Sequence, residues 1–485
     1  MKRILMTNLY FAKYTGSELH TLEMARLFAE KGYEATIAVF QKTYPLLEKA
    51  EEFHVINCLT EKLPENSYDI IWVQHYPVFD YLRSRYELKY KNLIVSKLSV
   101  ISELEYLPVC TPQADLILCV SQECADAVCE EIGHDPRIWL FKNCASEEYF
   151  KEYPVKKEDA QLHKIAVISN HIPEELLELS KEIENDIEID YVGVEQSPRL
   201  VDAEFLKKYD LIITIGRTVQ HCFAMGVPIY VYDYFGGPGY INDENFAVAE
   251  KNNFSGRGFS KKDVKELKKD IIDNFEKNLS YLKKLNRIAK KEYSYEKCFE
   301  EIYQKLMELE SETFRTTKFF DKVENSRMRL YSKVVPAYAL PKTSVSQLYI
   351  DYKDGFCEEN SIKWEAAENY VIKRQFKTDR RVKGLRFDPC DVPAECYVYE
   401  IQINGKTKYS KKYKQFLDFD PQFKIELSKE ERNVQTLQIE IVYKFKTLSW
   451  EKTLELYKEK LDGEKFRHLE NMKNKVISKV KNIKR

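Results

Sequence analysis

Two Rossmann-like α/β lobes, an antiparallel β-sandwich and a basic helical tail are the fold this sequence predicts, and three observations carry the prediction. Short apolar runs alternate with helical stretches over residues 1 to about 150, the alternation restarts at Lys164, and after Thr313 the apolar spacing changes to period two. Strand, helix, strand at the first pitch means parallel βαβ units, and period two means strands with one buried face. The length of 485 residues agrees, because one core seldom serves more than about 200 residues.

In the first lobe (1–155) the strand candidates are residues 4–6, 35–40, 70–73, 93–95 and 116–120. Between the first two, Leu22, Ala25, Arg26 and Ala29 keep helical spacing up to Gly32, a natural helix end. The second lobe (156–312) offers strands at 165–168, 190–194, 211–215 and 228–233, with Pro173 opening a helix. Residues 261–310 read as helices with Lys-rich, solvated faces. A polar connector (313–343) precedes the sandwich (344–460), whose period-two runs are 348–352, 397–403, 423–427 and 437–445. Asn404-Gly405 marks a hairpin turn there. The tail (461–485) sets Met472, Val476, Val480 and Ile483 on one helical stripe among lysines. That pattern suits an anionic membrane surface and also packing against the protein itself, and a lipid-linked acceptor would tip the reading to the membrane.

Composition excludes several classes. With 76 Lys+Arg against 78 Asp+Glu the formal net charge is −2, so the molecule as a whole attracts neither nucleic acid nor anionic lipid. No apolar run approaches the roughly 20 residues that a membrane-spanning helix needs. The N-terminal apolar run ends at Met6, which reads as a first strand and not as a signal peptide. The 11 cysteines are odd in number and form neither C-x-x-C pairs nor zinc spacings. A reduced, cytoplasmic compartment is expected, with no metal, no cofactor and no disulfide.

Two glycine-bearing segments suggest phosphate chemistry. Thr15-Gly16-Ser17-Glu18 lies between a strand and a helix, where a glycine lets backbone N–H groups approach a phosphate. Taken alone, so short a motif is more often an ordinary turn with a Ser N-cap. The second segment is denser: Gly216-Arg217-Thr218, then Gly226-Val227-Pro228, then 235–240 with Gly236, Gly237 and Gly239, then 253–257 ending in Gly256-Arg257. In open parallel sheets ligands bind beyond the carboxyl ends of strands, where these residues fall, and an arginine fork suits phosphate oxygens. The competing explanation is turns and surface ion pairs. It is disfavoured because 4 of the chain's 15 glycines lie between Gly236 and Gly256.

At this point the sequence resembles a known family. The opening MTNLYFAKYTGSELHTLEMARLFAEKGYEATIAVF, the strand 116–120 ending before Ser121, and Phe141-Lys142-Asn143 are similar to the first lobe of retaining GT-B glycosyltransferases of family 4. Residues 168–175 (ISNHIPEE), 215–218, 231–240 and 253–257 resemble a bacterial subgroup found among builders of surface polysaccharides. A helix over 293–309 resembles the family's last helix, which crosses back to lobe one. The resemblance covers residues 1 to about 310. It implies a nucleotide diphosphate sugar donor held by the second lobe and a glycan or lipid-linked acceptor facing the first. Donor contacts are then expected at Gly16, Ser17, Asn170, His171, Arg217, His221, Gly236, Gly237, Gly239 and Arg257. Helix N-termini at Gly16 and Gly237 would stand in for a metal.

His75 follows a strand and is expected to point into the cleft, and Lys97 and Ser99 occupy the loop where the family often places a histidine against the transferred sugar. These three are the candidate catalytic residues. Glu103 and Glu105 are candidate acceptor bases, against the commoner reading of surface carboxylates. One departure stands out. The family's glutamate pair falls on Ile213 and His221 here, which motivates a rival reading as a non-catalytic sugar-binding or scaffold subunit. A nucleotide-sugar epimerase is the second rival, but its acids and bases are not in evidence. Residues 355–361 and 385–389 resemble accessory β-domains of polysaccharide enzymes. Trp364 and the tyrosines there suit either a sugar platform or, more commonly, a core.

Overall fold

The computed structural model describes residues 2–151, 160–183, 186–193, 200–309, 311, 313–317, 343–353, 355–417, 421–448, 452–453 and 456. The tail, with its membrane stripe at 472–485, and most of the connector lie outside the described residues. The chain divides into two compact units: described residues within Met1–Lys42 and Lys49–Leu340 form one, and those within Thr43–Glu48 and Pro341–Arg485 form the other.

The first unit holds both α/β lobes. In the first lobe, strands β1 (Lys2–Thr7), β2 (Tyr33–Val39), β3 (His54–Asn57), β4 (Ser67–Val73), β5 (Lys89–Lys97), β6 (Leu116–Cys119) and β7 (Ile138–Leu140) pair in parallel in the order β3-β2-β1-β4-β5-β6-β7. Helices α1 (Gly16–Glu30), α2 (Tyr76–Arg85) and α3 (Gln122–Ile132) connect them. In the second lobe β8 (Lys164–Ile168), β9 (Glu188–Val192), β10 (Leu211–Thr214) and β11 (Ile229–Asp233) run parallel, with helices α4 (Glu174–Glu182) and α5 (Arg217–Met225). Alternate residues of β8 are buried on opposite faces. Ile165 and Val167 join a cluster with Leu176, Leu211 and Ile213, while Ala166 and Ile168 join Ile212, Val219 and Phe223. Helical cover on both faces is what such continuous apolar strands require, and each fully buried side chain contributes about 1.5–3 kcal/mol.

The glycine-rich stretch after β11 departs from expectation. Gly236–Tyr240 forms an antiparallel strand, β12, hydrogen-bonded to β11, and it neither loops toward a ligand nor opens a helix. After it come α6 (Val264–Asp273), α7 (Phe275–Glu292) and α8 (Tyr295–Glu308). The last of these returns to lobe one, where Phe299 meets Phe28 edge-on at 5.0 Å and Tyr303 stacks on Phe299 at 5.8 Å. The outgoing and returning crossovers run side by side: Ala145 bridges Ser294 in parallel, its N–H donating to Tyr293 O at 2.8 Å and its O accepting from Tyr295 N–H at 3.0 Å.

The second unit is a sandwich of two antiparallel sheets. Its strands are β13 (Thr343–Asp351), β14 (Ser361–Ala367), β15 (Ile372–Lys377), β16 (Gly384–Asp388), β17 (Ala394–Ile403), β18 (Lys406–Phe416), β19 (Phe423–Ile425) and β20 (Gln438–Thr447). They pair as β14-β13-β16-β19 and β15-β20-β17-β18. Asn404 and Gly405, at φ 50° and 76°, make the two-residue turn between β17 and β18, the left-handed pair that matches strand twist. Trp364 is core: it stacks on Phe387 at 6.0 Å, and its indole N–H donates to Tyr443 Oη at 2.8 Å. Thr43–Glu48 corrects the linear reading of lobe one, because this segment belongs to the sandwich unit. The Arg374 guanidinium lies 3.5 Å over the Tyr44 ring and 3.0 Å from the Glu48 carboxylate.

Candidate functional site

The first loop is organised by a carboxylate. Thr15 is the N-cap of α1, yet its side chain does not cap the helix. Its hydroxyl donates instead to Glu18, whose other oxygen accepts from the N–H groups of Ala12 (2.8 Å) and Lys13 (3.1 Å). Burial raises the Glu18 carboxyl above its ordinary range, against the lowering by those three donors. Ser17 is fixed through its carbonyl, which accepts from Thr21 Oγ1 and Gln74 Nε2, both at 3.0 Å. A Cβ at Gly16 would meet nothing within 4 Å. The uncapped first turn of α1 therefore borders open space, the geometry in which helix N–H groups receive an anion.

In the first lobe the structure brings His75, Lys97 and Glu105 together, but in a network that uses up their polar atoms. His75 sits at φ 55° as the N-cap of α2. Its Nδ1 accepts from Leu9 N–H at 3.1 Å, so the ring proton is on Nε2, 3.2 Å from Glu105 Oε1. Glu105 Oε2 accepts from Leu98 N–H at 2.8 Å, and Lys97 Nζ donates to the Glu105 carbonyl at 2.9 Å. All three side chains are buried. The expectation that His75 points free into the cleft is thereby corrected, since neither ring nitrogen is available as a base. Glu105 is not a surface carboxylate either. Ser99 serves the local turn, its Oγ accepting from Ile101 N–H at 3.1 Å. The Glu103 side chain lies outside the described residues.

From the second lobe two arginines reach across to the first. Arg217, the first residue of α5, lies against Glu23 of α1 and Tyr295 of α8, with one nitrogen donating to Glu23 and its cation 5.9 Å from the Tyr295 ring. Its Nε and Nη1 have no hydrogen-bond partner among the described residues. Arg257 is forked onto Glu123 of α3, Nε to Oε1 at 2.8 Å and Nη2 to Oε2. A carboxylate thus fills the fork expected to hold phosphate. His221 is stacked on Tyr149 at 4.0 Å, and neither ring nitrogen makes a well-aligned hydrogen bond. Burial, and next the Arg217 charge, hold its pKa well below the ordinary histidine value, so it is neutral. His20, bonded to Tyr295 Oη through Nδ1 at 2.7 Å, is pushed down to about 3 by the same two causes.

The remaining donor candidates spread along the sheet edge. Asn170 and His171 follow β8, where Ser169 Oγ accepts from His171 N–H at 2.9 Å and donates to Asp233 at 2.8 Å. Gly236, Gly237 and Gly239 do not form a ligand cradle. A Cβ on Gly237 would lie 2.0 Å from Val231 O, and one on Gly236 2.5 Å from Ser260 O, so backbone packs where a phosphate was expected. The segment 252–257 is folded tightly beside them. Asn253 and Phe254 both hold left-handed φ (56° and 49°), and Phe254 O accepts from Gly216 N–H at 2.9 Å.

No family model matches the chain, and no curated protein matches it by sequence. Among solved structures the chain is similar to HepE from Anabaena, crystallised with UDP and glucose, at 13% identity and a TM-score of 0.46 over 64% of this chain and 100% of HepE. It is also similar to sucrose-phosphate synthase from Thermosynechococcus elongatus (12% identity, TM-score 0.41, 64% of this chain and 100% of that one). A third likeness is to WaaG, a glycosyltransferase involved in lipopolysaccharide biosynthesis (8% identity, TM-score 0.38, 62% of this chain and 99% of that one).

Four residues of the site were missed in the sequence: Glu23, Glu123, Tyr295 and Asp233. Glu23 and Glu123 are partners supplied across the lobes, 194 and 134 residues away, Tyr295 comes from the returning helix α8, and no local pattern announces them. Asp233 closes β11, is buried, and keeps Oδ1 without a partner. Its place at the carboxyl end of a parallel strand was the available signal. Glu18 had one too, since Thr-x-x-Glu before a helix is the capping-box spacing.

Proposed function

We propose that the chain is a glycosyltransferase moving a sugar from a nucleotide diphosphate sugar to a glycan or lipid-linked acceptor between its two α/β lobes. The reading includes retention, no bound metal and a role in bacterial surface polysaccharide synthesis. One observation carries it: Arg217, heading an uncapped helix of the second lobe, is carried against α1 of the first with two guanidinium nitrogens unpaired among the described residues. Those groups, with the open first turn of α1, supply fixed positive dipoles where charge grows on a leaving diphosphate.

The test is calorimetric titration with UDP, GDP and ADP and their sugars. At least one is expected to bind, and Gly16→Val, which places a side chain in the open approach without disturbing a special φ, is expected to weaken it at least tenfold, about 1.4 kcal/mol. The melting temperature stays that of the parent. If no nucleotide binds the parent chain, the reading fails. A second reading, a non-catalytic sugar-nucleotide-binding subunit, is favoured by the engaged His75 and Glu105 and by Ile213 and His221 in place of the glutamates. Nucleotide binding without release of nucleoside diphosphate in the presence of glycan acceptors would select it.

The proposal extends to the basic tail as the attachment to the inner membrane face. No described helix is long and apolar enough to cross a membrane. A chain ending at Leu469 is expected to stay folded but to stop floating with anionic vesicles that carry the full chain, and added salt is expected to release the full chain. Equal flotation of the two chains would show that the tail is not the anchor.

A further inference from the structure

The outer face of the β17–β18 hairpin carries aromatic rings that the sandwich core does not use. Cys396, Val398 and Ile401 of β17 point inward and are at most 1% exposed. The residues between them point outward. Tyr397 lies directly opposite Tyr413 of β18, and its ring is 4.7 Å from that of Tyr399. Tyr413 is 56% exposed, unusual for so large a ring on a packed sheet. On the same face Glu395 pairs in register with Gln415, whose amide donates to it at 3.0 Å. On the other flank of β17, Tyr397 is opposite Lys444 and Glu395 is opposite Lys446.

This face does not suit a second protein strand. The edge strand β18 reads KTKYSKKYKQF, with lysines and no acid along its length, the composition that blocks edge-to-edge pairing. Single-stranded nucleic acid would also find rings and lysines here, but it brings few hydroxyls to the Glu395–Gln415 pair, and it is the competing arm of the test. A sugar ring meets every feature. Its C–H faces pack on the tyrosine rings, and its hydroxyls donate to Glu395 and exchange bonds with Gln415. Lys444 and Lys446 have no ion-pair partner among the described residues, which leaves two ammonium groups for acidic substituents.

We propose that this face of the sandwich binds an anionic glycan, its rings laid over Tyr397, Tyr399 and Tyr413 and its carboxylates or phosphates met by Lys444 and Lys446. The surface lies in the second unit and is independent of the transferase reading, so its test contains no nucleotide. The full chain is run through native gels holding alginate, a uronate polymer, or dextran, a neutral one, or single-stranded DNA. Retardation is expected in alginate, with little in dextran or DNA. Tyr413→Ala and Lys444→Gln, both at solvated positions, are expected to weaken the alginate affinity at least fivefold while the melting temperature holds. Gly16→Val is expected to be retarded like the parent. Absence of retardation in alginate, equal retardation in DNA, or retardation unchanged in both surface variants would overturn the proposal.

Discussion

Gly237→Ala is expected to cost the second lobe at least about 3 kcal/mol, the upper range for overpacking, and to lower its melting temperature accordingly. The added Cβ would sit 2.0 Å from Val231 O and 2.8 Å from Tyr232 Cα. Both are backbone atoms of the paired strand, so no rotamer change relieves the clash. Gly256 faces the same constraint, with a Cβ 2.2 Å from Gly236 O and a φ of +83° that adds left-handed strain. Gly16→Ala, in open space at an ordinary φ, is the matched control and is expected to melt with the parent. Thermal unfolding followed by circular dichroism checks the pair. A Gly237→Ala chain as stable as the parent would mean that β11 and β12 do not pack as described.

Acidification from pH 6.5 to 5 is expected to destabilise the protein by at most about 3 kcal/mol, through two buried histidines whose unfolded forms are half protonated at pH 6.5 and approach a slope of about 1.4 kcal/mol per pH unit each below it. Folding depresses the pKa of His20 to about 3 and that of His221 well below its ordinary value, by burial first and the Arg217 charge second. Between these folded values and the unfolded value near 6.5, the unfolded chain binds protons that the native one refuses. Their stabilisation is complete above pH 6.5 and is lost as pH falls. Glu18, Asp80 and Asp233, whose carboxyls burial raises, work in the opposite sense and offset part of the loss at the acid end. Urea midpoints measured across this range give the slope. His221→Phe, which keeps the stack on Tyr149 and cannot be protonated, is expected to remove about half of it. A parent midpoint that stays flat would show that the two rings are not buried neutral.

The parts of the fold that were legible are those whose signal is local. The parallel strands announce themselves because both faces of residues 165–168 and 211–214 are buried and the run is apolar throughout. By contrast β18 has almost no apolar residue, because as an edge strand it is solvated on both sides, and period two has nothing to register. The stretch 236–240 reads as a loop because glycine chemistry suggests turns. Its glycines are needed because the backbones of Val231, Gly236 and Ser260 crowd together, a non-local fact. The site divides in the same way. Gly16 and Arg217 are visible from their strand-to-helix positions, whereas the carboxylates that hold Arg217 and Arg257 come from the other lobe. His75 was placed at the right strand end, but Leu9 and Glu105, which occupy its two nitrogens, arrive from other loops.

The paired crossovers at Ala145 and Ser294 have a mechanical consequence. A single connecting segment would let the lobes swivel in any direction, but two segments laced together by hydrogen bonds define an axle. Rotation about that line leaves the lacing intact, while sliding or pulling the lobes apart must tear it. Any parting of the lobes must also break the Arg217–Glu23 and Arg257–Glu123 contacts that span them.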